Sequence, residues 1–195
     1  MSHRPPRPAP SPFRWTVEQY QQLDKTHLFH ELKTMPVDGV FYVSPSADPP
    51  HDYSVGVASD WLWKLKLSGF HSRCQMGFVI GNDTDANPDL ALVPGEIRAS
   101  TNAHPTTAAL SIEVADSSLN FDTTTKAEKN ATAGVPDYWV LDLTARELVI
   151  FRAPNPLPAG LGATAYRQRN TFGPAASVSP LAATAATITV ADLLP

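Results

Sequence analysis

Between residues 76 and 151 the chain alternates short β-rich runs with turn-forming residues, and nothing else in its 195 residues restricts the fold as strongly. Met76 to Ile80, Leu90 to Val93, Leu110 to Val114, Tyr138 to Leu143 and Leu148 to Phe151 are each bounded by Gly, Asn, Asp or Pro. Such punctuation marks strands, and the five runs are expected to form one sheet. Between the third and fourth lies SSLNFDTTTKAEKNATAGVP, which reads as a loop, a cap at Asp122, a short helix, Gly134 past its end and then Pro136. A strand, helix, strand unit follows. Upstream, Thr16 caps a helix running through Val17, Tyr20 and Leu23 toward Leu28. Asp38-Gly39 marks a turn before a strand at Val40 to Val43, which Pro49 and Pro50 end. From Asp52 to about Leu67, the apolar residues Val55, Ala58, Leu62 and Leu65 recur at spacings of three and four, the mark of an amphipathic helix. Beyond Arg152 the signals weaken to strands near Tyr166 and Ile188 and a closing turn at Ala191 to Leu194.

The length suits one domain with a substantial core, and 43% apolar against 17% charged residues places the chain among folding sequences. Residues 1–12, rich in Pro and Arg, are expected to form a disordered tail, leaving 13–195 as a single domain. No apolar run approaches the ~18 to 20 residues of a membrane span, and the start lacks the apolar core of a secretory signal, so we expect a cytoplasmic protein. The lone Cys74 excludes an internal disulfide and a Cys-based zinc site. The sequon at Asn130 carries little weight without secretion. A net charge of −4 counts against nucleic acid, because phosphate binding draws on Lys and Arg clusters; the field that matters is nevertheless local to a cleft.

Two of the β-rich runs carry one carboxylate each. In PDLALV, alternation puts Asp89, Ala91 and Val93 on one face and Leu90 and Leu92 on the other. In LSIEVA, Leu110, Ile112 and Val114 share a face while Ser111 and Glu113 occupy the opposite one. An ionised carboxylate among apolar neighbours is costly unless it is solvated, paired or bound to a cation. Oxygen donors without Cys or clustered His favour Mg²⁺ or Mn²⁺ over Zn²⁺. Lys126, on the helix downstream, could point back at the same place and stabilise charge developing on a phosphodiester. The bland alternatives are a turn residue for Asp89 and a structural salt bridge for Glu113. Asp122 reads as a helix cap rather than a ligand. His27, His30 and Glu31 read as a polar helix face, and Trp61, Trp63, Tyr138 and Trp139 as core or interface aromatics.

The order Pro-Asp, Glu in an apolar strand, then Lys resembles the PD-(D/E)xK nuclease superfamily. The longer pattern IEVADSSLNFDTTTKAEKNATAGVPDYWVLDL is similar to the signature segment of the Uma-type putative restriction endonuclease family, with Glu113, Asp122, Lys126 and the run from Ala133 to Trp139 in the corresponding places. The likeness extends to VDGVFYVSPS, His51, NPDLALV and SPLAATAATITVADLLP. It implies an α/β, restriction-endonuclease-like fold with a central mixed sheet flanked by helices, and Mg²⁺- or Mn²⁺-dependent hydrolysis of DNA. Asp89, Glu113 and Lys126 would then be catalytic, with Asp89, Glu113 and the backbone carbonyl of Val114 holding the metal and His51 as an accessory group. The lysine has moved from the strand, where Ala115 now stands, to the helix. Many nucleases that cut both strands are dimers, so a homodimer fits the same reading. Met35 stands where the family usually has Glu, and Glu31, a helical turn earlier, is the candidate substitute. Asn130 replaces an aromatic residue and Lys129 an apolar one on the lysine-bearing helix. A degenerate nuclease fold serving as a binding or regulatory module, and a hydrolase of another phosphate ester, remain open beside the DNA reading.

Overall fold

The computed structural model describes residues 11–29, 32–44, 48–158 and 164–195. The first ten residues of the expected tail lie outside that range, as do His30 and Glu31.

Helix α1 (Val17–Asp24) opens on the expected cap: the Thr16 hydroxyl accepts from Gln19 N–H, and the Gln19 side chain accepts from Thr16 N–H. The helix stops at Asp24 rather than continuing toward Leu28, and His27, with a φ of 59°, is not on a helix face. Strands β1 (Lys33–Val37) and β2 (Val40–Ser44) make an antiparallel hairpin with Asp38 and Gly39 as the two loop residues. Both have positive φ, 50° and 68°, as the tight mirror-image turn demands. A Cβ on Gly39 would also lie 2.7 Å from the Trp15 nitrogen, so only glycine fits there. Alternation then splits the hairpin. Phe41 packs against Trp15 and Tyr20, while Met35 and its cross-strand partner Tyr42 face the other way.

Pro49 and Pro50 do more than end a strand. They form the first turn of α2 (Pro49–Lys64), where their missing N–H groups cost nothing, and Asp48 caps it by accepting from His51 N–H at 3.1 Å. Val55, Ala58 and Leu62 are buried as the spacing predicts, although the helix begins and ends about three residues earlier than expected.

Six strands form the central sheet: β3 (Phe70–Cys74), β6 (Leu90–Pro94), β7 (Leu110–Ala115), β8 (Asp137–Asp142), β9 (Glu147–Pro156) and β10 (Thr164–Phe172), in the order β10-β9-β8-β7-β6-β3. Only β7 and β8 are parallel, because the helical segment between them returns the chain to the same end of the sheet; the other pairs are antiparallel. The sheet is therefore mixed, as expected. One face packs Leu90, Leu92, Leu110, Ile112, Val114, Trp139 and Leu141 against α2. The other carries Glu113, Tyr138 and Val140 toward the connecting helix.

One expected strand does not join the sheet, and one strand of the sheet was not expected. Met76 to Ile80 does not join the sheet: Phe78–Ile80 (β4) pairs with Thr84–Ala86 (β5) in a separate hairpin, with Phe78 and Ile80 laid over Ala91 and Val93. An apolar run tells a strand's burial but not its partner. The edge of the sheet belongs instead to β3, whose sequence FHSRC carries almost no strand propensity and is held by its pairing with β6. Among the aromatics, Tyr138 and Trp139 are fully buried and Trp61 stacks on Trp139 with ring centroids 6.1 Å apart, but Trp63 is 66% exposed and does not serve the core. No helix of the described residues is long and apolar enough to cross a membrane.

Asp137 closes the C-terminal part of the fold. Fully buried, it accepts 2.8 Å hydrogen bonds from Arg152 Nε, Trp139 Nε1 and Leu181 N–H. Asp137→Ala leaves all three donors unmatched, so we expect a loss of about 2 to 3 kcal/mol in urea unfolding, against a smaller loss for Asp137→Asn.

Candidate active site

The β6–β7 register pairs Leu90 with Ile112 and Ala91 with Ser111, which brings Asp89, just before β6, to the neighbourhood of Glu113. Asp89 Oδ2 accepts the N–H of Val114 at 2.8 Å, fastening the head of one strand to the middle of the next. Glu113 lies on the face away from α2 and is 4% exposed.

Residues 119–132 connect β7 to β8 as one helical segment of irregular pitch: an α-turn at Leu119–Phe121, a π-turn at Asp122–Lys126, and α-helix again at Ala127–Thr132. The sequence DTTTK explains the wide turn. Thr123 and Thr124 donate their hydroxyls back to the carbonyls of Leu119 and Asn120, which disfavours a regular ladder. The buried Tyr138 hydroxyl donates to the Asp122 carbonyl at 2.8 Å, tying the irregular turn to the sheet. From this turn Lys126 reaches inward, its Nζ 2.8 Å from Glu113 Oε2 and 3.3 Å from Asp122 Oδ1. π-turns in helices are frequent at functional sites.

Asp122 is not the helix cap that the sequence suggests. It sits within the helical segment, 1% exposed, where it hydrogen-bonds the Ser118 hydroxyl and faces Lys126; its Oδ1 has no hydrogen-bond partner. The signal for it was the spacing of four residues from Asp122 to Lys126, which aligns two helical side chains. The unusual Lys129 and Asn130 do not disturb Lys126. Lys129 turns away to Asp38 Oδ1 at 2.7 Å, and Asn130, buried, donates Nδ2 to the Lys126 carbonyl at 2.9 Å.

Asp89, Glu113, Val114, Asp122 and Lys126 line one cavity of about 400 Å³ together with His51 and Met35. His51, in the first turn of α2, places Nε2 3.4 Å from Asp89 Oδ2 and Nδ1 3.6 Å from Asp52 Oδ1. The Asp89 interaction raises its basicity against the effect of burial. Met35 brings an apolar, buried side chain to the position where a carboxylate was expected, and Glu31, the candidate substitute, lies outside the described residues.

Three buried carboxylates thus surround one ammonium. Burial, reinforced by the negative charge of Asp122 and Asp89 and opposed by Lys126, pushes the Glu113 carboxyl up to about 8. Burial pushes Asp89 in the same direction, but the His51 contact and the Val114 N–H outweigh it and hold Asp89 below the usual range. Burial alone would disfavour the Lys126 charge; Glu113 and Asp122 more than compensate, so Lys126 stays protonated. Among the described residues, no three side chains of His, Cys, Asp or Glu form a ready-made ligand cluster. The donors present are the carboxylates of Asp89 and Glu113, with a third carboxylate oxygen, Asp122 Oδ1, that faces Lys126 and lacks a hydrogen bond. That set fits Mg²⁺, which keeps several waters and takes one or two carboxylates, and it does not fit a nitrogen- or sulfur-bound ion.

The family model described as "Uma2: Putative restriction endonuclease" matches residues 17–191. A solved structure described as a putative nuclease belonging to DUF820, from Anabaena variabilis, superposes with a TM-score of 0.67 at 17% identity, covering 91% of this chain and 96% of that one. It shares the fold, a restriction-endonuclease-like mixed sheet with flanking helices. No curated protein matches the chain.

Proposed function

We propose, from the premise that this chain belongs to the Uma2 family of putative restriction endonucleases, that it is a nuclease hydrolysing phosphodiester bonds in DNA with Mg²⁺ or Mn²⁺. The observation that carries this reading is the convergence of Asp89, Glu113 and Lys126, from two strands and one helix, on a single cavity. Asp89 and Glu113, with the Val114 carbonyl, would hold the divalent ion. When bound, that ion supplies Lewis-acid stabilisation and a more acidic water. Lys126 provides a fixed positive charge for the phosphate oxygens as negative charge builds in the transition state. Asp122 keeps that lysine charged and aimed. His51 orients Asp89 through its Nε2, and the Val114 N–H holds the same carboxylate from the other side.

The test is cleavage of supercoiled plasmid and of short oligonucleotides in Mg²⁺, in Mn²⁺ and in EDTA. We expect EDTA to abolish cleavage and Asp89→Asn to lower its rate about 100-fold while the circular dichroism spectrum stays unchanged. Cleavage that survives EDTA, or an Asp89→Asn enzyme as fast as the parent, overturns the reading. The buried Met35 favours one second reading, a binding module on a degenerate nuclease fold. That reading requires that calorimetric titration show no Mg²⁺ or Mn²⁺ binding and that no nucleic acid be cut.

A further inference from the structure

The cavity's walls are the β1–β2 hairpin, the start of the connecting helix and the first turn of α2, with Glu113 and Asp122 almost wholly buried at its floor. Its volume of about 400 Å³ is that of a small-molecule pocket, about the size of one nucleotide. The ionisable residues lining it include five carboxylates, Asp48, Asp89, Glu113, Asp116 and Asp122, against the two lysines Lys33 and Lys126. Lys126 is already engaged with Glu113 and Asp122, and His51 with Asp89, which leaves Lys33 among the basic lining residues. Proteins that grip a duplex by its backbone draw their affinity from many Lys and Arg contacts that release counterions, and the described residues of this lining do not offer them.

The lining offers aromatic surface instead. Tyr42, 39% exposed, and the half-buried Phe121 line it side by side, in contact with each other, with ring centroids 4.9 Å apart and planes inclined by 38°. The other ring contacts near the sheet, Trp61 with Trp139 and Tyr138 with Tyr166, are built on fully buried core rings. Tyr42 is turned to the cavity because its neighbour Phe41 is taken by α1 and Trp15 on the other face of the hairpin. Aromatic faces hold nucleic acid by stacking on bases whatever their sequence, and only a base outside the double helix presents a face to stack on.

We infer that Tyr42 and Phe121 form a stacking platform for an unpaired base next to the scissile phosphate, so that this site takes single-stranded DNA, or an unpaired stretch within a duplex, in preference to intact duplex. The inference rests on the nuclease reading and specifies its substrate. A strand that has left the helix can lower one phosphate past the rim toward the buried carboxylates.

The experiment uses one labelled oligonucleotide, alone and annealed to its complement, with 2-aminopurine at successive positions. Binding is followed in Ca²⁺ by fluorescence quenching, and cleavage in Mn²⁺. We expect quenching and tighter binding for the single strand. Tyr42→Leu, which keeps apolar packing but removes the ring, should weaken that binding about tenfold and raise KM more than it lowers kcat; Tyr42→Phe should retain both. If Tyr42→Leu unfolds, the quenching and the strand preference of the parent protein still decide the matter. Duplex bound and cut as well as the single strand, or Tyr42→Leu with unchanged affinity and quenching, overturns this inference and leaves the nuclease reading standing. Failure to cut either form, together with no binding of Mn²⁺, overturns both.

Discussion

Glu113→Gln is expected to lower metal-dependent cleavage on the order of 10³-fold and at the same time to raise the thermal midpoint of the metal-free protein at pH 8 and above. Loss of activity follows from removing an anionic oxygen that would hold the ion. The gain in stability follows from the pH at which Glu113 titrates. Its carboxyl, buried beside Asp89 and Asp122, is pushed up to about 8 from an ordinary 4.5. Between those two values the unfolded chain has lost the proton that the native protein keeps. A raised pKa therefore contributes stability that is complete below about 4.5 and is lost as pH climbs through about 8. Glutamine does not titrate and is not subject to this loss. Melting curves of both proteins from pH 5 to 9, in EDTA, should coincide in midpoint trend near pH 5, diverge as pH rises, and run parallel above about pH 8. If the gap between them does not change with pH, Glu113 is ionised throughout and Lys126 alone satisfies it. A variant more stable and inactive is the behaviour of a residue whose burial serves chemistry and not folding.

The pattern of faces was legible in the sequence, and the pattern of partners was not. Alternation in PDLALV and LSIEVA puts Asp89 and Glu113 opposite their leucines, and the same division appears in the sheet because a strand's side-chain period admits no other. The Asp38-Gly39 turn and the apolar stripe of α2 were equally plain, since each is decided within a few residues. Beyond that range the signals fail. β3 became an edge strand because β6 offered it a free row of hydrogen-bonding groups, not because FHSRC prefers to be extended. Asp122 looked like a cap because Asp before a helical run usually is one. The turn begins earlier at Ser118, and the Tyr138 hydroxyl, reaching up from the next strand, helps fix the Asp122 turn. The rim pair Tyr42 and Phe121 joins residues 79 positions apart through no shared motif, so packing alone brings them together.

Lys126→Met is expected to destabilise the metal-free protein by about 3 to 5 kcal/mol at about pH 9, where Glu113 is ionised, to abolish cleavage, and yet to bind Mn²⁺ at least tenfold more tightly than the parent. All three effects have one origin. In the metal-free protein Lys126 is the cation among three buried carboxylates, 2.8 Å from Glu113 and 3.3 Å from Asp122. Removing it leaves buried negative charge with no counter-ion, which is far more costly than never having built the pair. The deficit should shrink as pH falls below about 8, where Glu113 takes up a proton in place of the missing ammonium. Lys126 itself does not contribute to that slope: its pKa is raised from 10.5, so its stabilisation is complete throughout this range and declines only in strong alkali. A divalent ion entering the parent protein must compete with the ammonium for Glu113. In the variant it meets no competitor, so saturating Mn²⁺ should recover more of the lost melting temperature than it adds to the parent. Calorimetric titration and melting in parallel decide this. Equal Mn²⁺ affinity in the two proteins would mean that the lysine and the ion do not share Glu113, and that Lys126 faces a structural partner rather than the site of chemistry. Tighter binding without cleavage would mean the reverse. On that outcome the ammonium holds the place of the metal until it arrives, then turns to the phosphate.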